Sequence, residues 1–424
     1  PGIFNSPGRL NFFSMKNTFF SLFLLVSCTL YGQGKNYEFK NGQWFNGQSF
    51  TTGTWYSVNG VLSQKAPSKI DSVINLSDKW VIPPFADAFS SSIADNSNAA
   101  NVLKLYMGEG VFYVQAAGNT QAGRSSTESL AGKTETPDVS YTNGAVTCSL
   151  GHPFVEYEGP ASGIKNPTQW GVNYDKIKTS RLMLGDGYWF IDNKTALNAN
   201  WDKIKAQKPA ALFICLLDAE ANGGKEGKGL SAEMAKVIVK KAHGSGLRVW
   251  AHVENAADLR LGLKLGVDGF ANLPGSNWDG SGDAAPYNLT DEDLKKLAKK
   301  KTPVVPLFSH AQMQAGRTDA KEYTNKTLNR LFSQGVNVVI GSDDPQRTIR
   351  AELNYWYASG AVDHLQVLKV LCENTPKAVY PKRKIARIAE GYEASFIVVA
   401  ENPLQNVLRA RVADFKLKQG AFVR

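Results

Sequence analysis

The chain is poor in cysteine: Cys28, Cys148, Cys215 and Cys372 are scattered through 424 residues, and no two stand at Cys-x-x-Cys spacing. A zinc knuckle would need that spacing, and a disulfide framework would need a denser, even-numbered set, whereas three remain once a leader carrying Cys28 is removed. Cys148, Cys215 and Cys372 each sit in an apolar segment and read as small buried hydrophobes. No apolar run reaches the ~20 residues that span a bilayer, so no transmembrane segment is expected. Charge of one sign is not segregated either. The 48 basic and 38 acidic residues give a net +10, spread along the sequence, which does not imply nucleic acid. The one dense basic run, residues 295–301, follows Thr290, Asp291, Glu292 and Asp293. That order describes a helix with an N-cap, acids in its first turn and cations in its last. No Gly-x-Gly-x-x-Gly turn follows an early strand, which argues against a doubly wound dinucleotide fold. No Gly-x-Ser-x-Gly elbow surrounds Ser90, Ser91 and Ser92, so the serine run reads as a loop and not as a nucleophile.

What is present suffices for one large α/β domain and a smaller one, since 43% of the residues are apolar. The first 34 residues are set apart. Met15, Lys16 and Asn17 followed by the apolar stretch 19–26 have the charged start and short apolar core of a bacterial export signal, with the residues before Met15 read as upstream translation. Two cleavage readings are open. Residues 25–28 fit a lipobox that would make Cys28 a lipid anchor, and residues 30–32 fit ordinary cleavage before Gln33. The expected location is therefore outside the cytoplasm, as a periplasmic protein or an outer-membrane lipoprotein.

Residues 35–80 alternate short strand-like pieces with Asn-Gly turns, and residues 380–424 contain a second such set. Neither has enough strands to bury a face alone, so the two are predicted to combine into a satellite β-sandwich. Between them, residues 81–379 alternate apolar strands with helices. Strands are predicted at 81–88, 110–117, 145–150, 210–217, 248–253, 269–273, 303–308 and 336–341, and clear helices at 231–243, 256–265 and 328–334. Eight strands separated by helices predict a (β/α)8 TIM-type barrel, with chemistry at the C-terminal strand ends.

Three of those strand ends carry recognisable residues. Trp250-Ala-His252, the run from Leu265 to Asn272 and the run from Val339 to Asp343 resemble the fifth, sixth and eighth strands of the amidohydrolase superfamily. Trp80 to Phe85, Asn374 to Ala378 and Ala394 to Val399 extend the resemblance outside them, although Ser395 replaces an expected acid. The resemblance implies a metal-dependent hydrolase with one or two divalent ions activating water. The ligands it implies are two histidines on strand one, a lysine or acid on strand four, histidines on strands five and six, and an aspartate on strand eight. Carried onto this chain, those positions are Phe89, Ser91, a fourth strand at 211–215 without Lys or Glu, His252, Asn272 and Asp343. Only His252 and Asp343 survive, the latter as a remnant proton shuttle, and zinc takes three or four side-chain ligands.

His152, after the third strand, or Cys215, on the fourth, could complete a mononuclear site; otherwise both are ordinary loop and core residues. His243 reads as structural, and His310 and His364 as solvated or packed. The expectation is thus an exported amidohydrolase-like protein with a degraded metal site and no cofactor. It would bind a small molecule or a protein at a mouth lined by Phe89, Ser91, His152, Phe213 and Asn272. The alternative is a hydrolase of C–N bonds in small or cyclic amides, using zinc or another divalent metal in an altered site.

Overall fold

The structure is a computed structural model that describes residues 35–93, 99–217, 229–310, 318–345 and 347–424. The predicted export leader, with Cys28, lies outside the described residues. Among the described residues no helix is long and apolar enough to cross a membrane.

The described chain opens with β1 (Tyr37–Phe45), β2 (Phe50–Val58), β3 (Val61–Ser63), β4 (Ser72–Asn75) and β5 (Trp80–Ile82). It then enters β6 (Phe85–Ser90), β7 (Val111–Ala116), β8 (Asp138–Tyr141), β9 (Ala145–Thr147), β10 (Tyr188–Phe190), β11 (Ala211–Leu216), β12 (Arg248–Val253), β13 (Gly269–Ala271) and β14 (Val304–Val305). It ends with β15 (Phe396–Val399), β16 (Ala413–Lys418) and β17 (Ala421–Val423).

Strands from both ends of the chain share one eight-stranded sheet, in the order β17-β16-β15-β5-β1-β2-β3, with β4 on β1. The join is antiparallel, Ile397 opposite Ile82 and Val399 opposite Trp80. The sequence predicts a sandwich, whereas these strands hydrogen-bond as a single sheet over a cluster containing Phe39, Trp44, Phe396 and Val398. Phe396 meets Phe39 and Trp44 edge-on, at ring separations of 5.0 and 5.5 Å.

The predicted strand 81–88 divides in two. Proline has no N–H to give to a ladder, and Pro83-Pro84 therefore separate β5, in the terminal sheet, from β6, in the parallel strands. The third strand also differs from its prediction. It begins as β8, on β7, turns at Asn143 with φ 60°, and continues as β9, beside β11. Its first half is too polar to read as a buried strand.

The remaining parallel ladder runs β10-β9-β11-β12-β13-β14. Residues 337–343 follow β14, with Val339 N–H donating to Val304 O at 2.9 Å. They return to β6, where Ala88 N–H donates to Ile340 O (2.9 Å) and Asp343 N–H to Phe89 O (2.8 Å). Asn374 and Thr375 secure this segment from below, through Asn374 Nδ2 on Val338 O and Thr375 Oγ1 on Ile340 N. The result is a TIM-barrel-type α/β fold.

The helices form where capping chemistry starts them. Ala256–Leu265 and Asp291–Lys300 begin with capping boxes, from Asn255 with Asp258 and from Thr290 with Asp293, and Ser231 caps Ala232–Gly244. Each such cap stabilises by ~1 kcal/mol. Asp291–Lys300 buries Leu294 and Leu297 and leaves its lysines exposed, as a dipole-matched surface helix should.

Candidate functional site

The first strand reaches the mouth through a bulge. Between the Asp87–Val114 and Ser90–Ala116 pairs β6 holds one residue more than β7, which breaks the two-residue alternation. Ala86, Ala88 and Phe89 consequently join one apolar cluster. The fully buried carboxylate of Asp87 accepts from Phe89 N–H (3.0 Å), Ser342 N–H (3.2 Å), Ser342 Oγ (2.6 Å) and Tyr106 OH (2.9 Å). Burial pushes this carboxyl up, and those hydrogen bonds oppose the shift. Ser90 and Ser92 complete the network through Tyr106, at 2.8 and 3.1 Å, so neither hydroxyl is paired with a histidine as a nucleophile would be.

Phe89 packs on Phe213 of β11, with ring centroids 5.5 Å apart, and Phe213 lies edge-on to His252 at 6.4 Å. Strand eight passes directly against this pair: a Cβ on Gly341 would meet Val305 Cγ1 at 2.7 Å and Phe89 Cβ at 2.9 Å. Only glycine fits there.

His252 lies next to the last residue of β12 and is buried. Its ring lies 4.6 Å from that of His152, and its Nε2 bonds Glu254 Oε1 at 2.7 Å. Asn277 Nδ2 holds the same carboxylate at 3.1 Å, and the Asn255–Asp258 capping box fixes the Glu254 backbone. Burial lowers His252, with the neighbouring His152 adding and Glu254 opposing. Burial pushes the Glu254 carboxyl up, but His252, His152 and Asn277 together hold it below its ordinary value. The bond to an ionised carboxylate requires Nε2 to carry the proton, which leaves Nδ1 of a neutral ring as an acceptor. His152 has its own acid, Glu156, with Nδ1 3.1 Å from Oε1.

Asp343, at φ 36°, follows the clamped Ser342. Burial raises its carboxyl to about 7; His310 and His152 oppose that shift, as does the Ser91 hydroxyl, and Asp87 adds to it. His310 Nε2 donates to Ser342 O at 3.2 Å. Glu352 positions the segment carrying His310, because its buried carboxylate accepts from the N–H groups of Phe308 (3.0 Å) and Ser309 (2.8 Å) and from Trp356 Nε1 (2.8 Å).

Of the residues predicted from sequence, the structure therefore brings His152 to His252, and sets both His152 and His310 in the electrostatic surroundings of Asp343. His310 itself is half-buried and packed against Ser342 O, one of the two roles, solvated or packed, read for it in the sequence. Cys215 is the register neighbour of His252, but it is fully buried and burial pushes its thiol well up, the reverse of what a thiolate ligand needs. Asn272 ends β13 at φ 63°, buried, its Oδ1 without a hydrogen-bond partner. His243 bonds Asp268 at 2.8 Å, and His364 stacks near Tyr357, both away from the mouth. Glu254 and Glu156 were missed. Their spacings, two and four residues after a histidine, were the available signal.

No protein-family model matches the chain. Among curated proteins, ochratoxinase of Aspergillus niger is 25% identical over 197 residues, which are 42% of this chain and 37% of that protein. The chain thus spans well under half the length of that relative. Among solved structures, an amidohydrolase superposes with a TM-score of 0.68 at 17% identity, covering 92% of this chain and 98% of the other. A. niger ochratoxinase gives 0.68 at 15%, over 92% and 96%. Molinate hydrolase gives 0.71 at 13%, over 93% and 95%. The chain has the amidohydrolase fold, in a divergent form.

The metal that goes with amidohydrolases does not suit the donors found here. Phenylalanine cannot ligate, and the positions at Ser91 and Asn272 offer neutral oxygens where the resemblance calls for imidazole. Among the described residues no three His, Cys, Asp or Glu side chains are placed to hold an ion. What this fold presents at the ends of its strands is a buried aromatic pair beside two imidazoles and their carboxylates, groups able to accept and donate protons.

Proposed function

We infer that this chain is an amidohydrolase-like binding protein that does not carry out metal-dependent hydrolysis, and that its former active-site mouth holds a small molecule or a partner protein. The observation that carries this reading is the packing of Phe89 on Phe213 at 5.5 Å, where the resemblance calls for a strand-one ligand. The frame around it is taken as a closed (β/α)8 barrel with the terminal sheet as its satellite, in an exported bacterial protein. The rival reading is a hydrolase acting on C–N bonds of small or cyclic amides. It draws on the hydrolases that share the fold and on the 4.6 Å approach of His152 to His252, which adds a donor near the remnant ligands.

Metal analysis of the purified protein, with assays on N-acyl amino acids, dipeptides and cyclic amides, separates the two. The expected result is less than stoichiometric metal and no turnover above buffer, before and after incubation with zinc. Stoichiometric zinc whose removal abolishes amide hydrolysis would overturn the binding reading and establish the rival.

A further inference from the structure

The mouth is not the only concave site. At the opposite, N-terminal ends of the strands lies a cavity of ≈ 570 Å³, within the range of small-molecule sites. Arg248, the first residue of β12, lines it, whereas His252 lies at the other end of the same strand. Conservation of function at this face is not expected of a TIM-type fold, whose chemistry sits at the C-terminal ends. Its lining is nevertheless unlike a solvated surface.

Four cations converge there: Arg248, Lys301, Lys377 and Arg387. Two acids share the lining, Asp268 and Glu373, so the four cations outnumber the acids by two. The Asp268 carboxylate is already engaged by His243 Nε2 and by Val249 N–H, both at 2.8 Å. Burial pushes the Glu373 carboxyl up, with Lys369 and Arg387 opposing.

Arg248 is preorganised. Its guanidinium donates to the carbonyls of Ala378 (2.7 Å) and Val379 (3.2 Å), at the end of the helix Thr375–Val379, which fixes its plane. Lys377 and Arg387 are exposed and make no ion pair among the described residues. Between the cations the wall is apolar, with Pro303, Ile385 and the ring of Tyr392. A fixed guanidinium, three further cations and an apolar wall complement a molecule with an anionic head and an apolar or aromatic body.

We propose that this basal cavity binds a small organic oxyanion, a carboxylate or phosphate carried on an apolar body. The site is independent of the reading given for the mouth, and nothing about it requires a metal.

Calorimetric titration of the full chain at low salt tests it with phenyl phosphate, benzoate and neutral benzyl alcohol. Either oxyanion should bind with one-to-one stoichiometry, phenyl phosphate ahead of benzoate if a doubly charged head is the better fit and the reverse if a carboxylate is. The Lys377→Gln, Arg387→Gln double variant should weaken binding about tenfold, the equivalent of ~1.4 kcal/mol. Glu373→Gln should strengthen it several-fold by removing a competing acid, an effect opposite in sign to damage from misfolding. Asp343→Asn, at the mouth, should leave it unchanged. The proposal is overturned if neither oxyanion binds, if benzyl alcohol binds as tightly, or if binding is lost in Asp343→Asn and kept in the double variant.

Discussion

Asp343 offers the sharpest test of the proposal that the mouth works without a shared ion. Its carboxyl, ordinarily at 3.8, is raised to about 7, first by burial and then by Asp87, against the attraction of His310, His152 and Ser91. An acid raised in the folded state holds its proton more tightly there than in the unfolded chain. Its contribution to stability is therefore fully present below pH 3.8 and is lost as pH rises through about 7. At ~1.36 kcal/mol per pH unit that interval amounts to ~4 kcal/mol, an upper limit. Asp343 keeps part of its surface in solvent, and screening reduces the expectation to ~2 kcal/mol. Asp343→Asn keeps the shape of the protonated side chain and removes the titration. Urea unfolding followed by tryptophan fluorescence should show the two proteins nearly equal at pH 4 and the variant ~2 kcal/mol more stable at pH 8. A variant that is less stable at pH 8, or a difference that does not change with pH, would refute this reasoning. A bound divalent ion would also reverse it, since the ion would hold Asp343 ionised throughout.

Three further outcomes follow from the same contacts. Asp87→Ala leaves four buried donors without their acceptor, and since Ser90 and Ser92 can take up Tyr106, a loss of ~3 kcal/mol is expected in denaturant titration. Phe213→Ala should cost ~3 to 5 kcal/mol by the same measurement if the aromatic pair is a packed unit, and under ~1 kcal/mol if the mouth is open. Lys418→Met strands part of a buried network: Lys418 Nζ donates to Lys133 O and Asp138, and Asp138 also pairs with Arg383. A loss of ~3 kcal/mol and faster proteolytic cleavage within residues 413–424 are expected.

Features carried by neighbouring residues were legible in the sequence, and features made by distant ones were not. Ser231, Asn255 and Thr290 announce their helices because a cap is a contact across three residues. His252 and Asp343 could be placed at strand ends because each closes a short apolar run. Strand three was read too late because Asp138–Tyr141 alternates polar and apolar residues like an exposed edge, and its burial comes from β7 beside it. The Phe89–Phe213 pair joins residues on the first and fourth barrel strands, and its position depends on a bulge that no local pattern marks. His310 could not be placed beside Asp343 for the same reason. Its partner is the carbonyl of Ser342, on the next strand, and the Glu352 carboxylate that sets its segment comes from a helix beyond that.

These long-range contacts also hold the strand ends in place where Phe89, Ser91 and Asn272 stand at positions for which the resemblance implies ligands. A metal ion would tie strands one, five, six and eight together by shared coordination. In this chain Asp87 ties strand one to strand eight through both Ser342 groups, Glu254 ties the end of strand five to Asn277, and Glu352 ties the end of strand seven to the helix behind it. Each is a carboxylate accepting at least two hydrogen bonds, so each holds its own backbone without help from an ion. Phe89 and Phe213 then occupy the centre as packing. On this account the mouth is cross-linked by carboxylate hydrogen bonds at its rim and filled by aromatic rings at its base. Breaking one rim carboxylate should loosen only its own strand end, leaving the neighbouring ends as protected in amide hydrogen exchange as before.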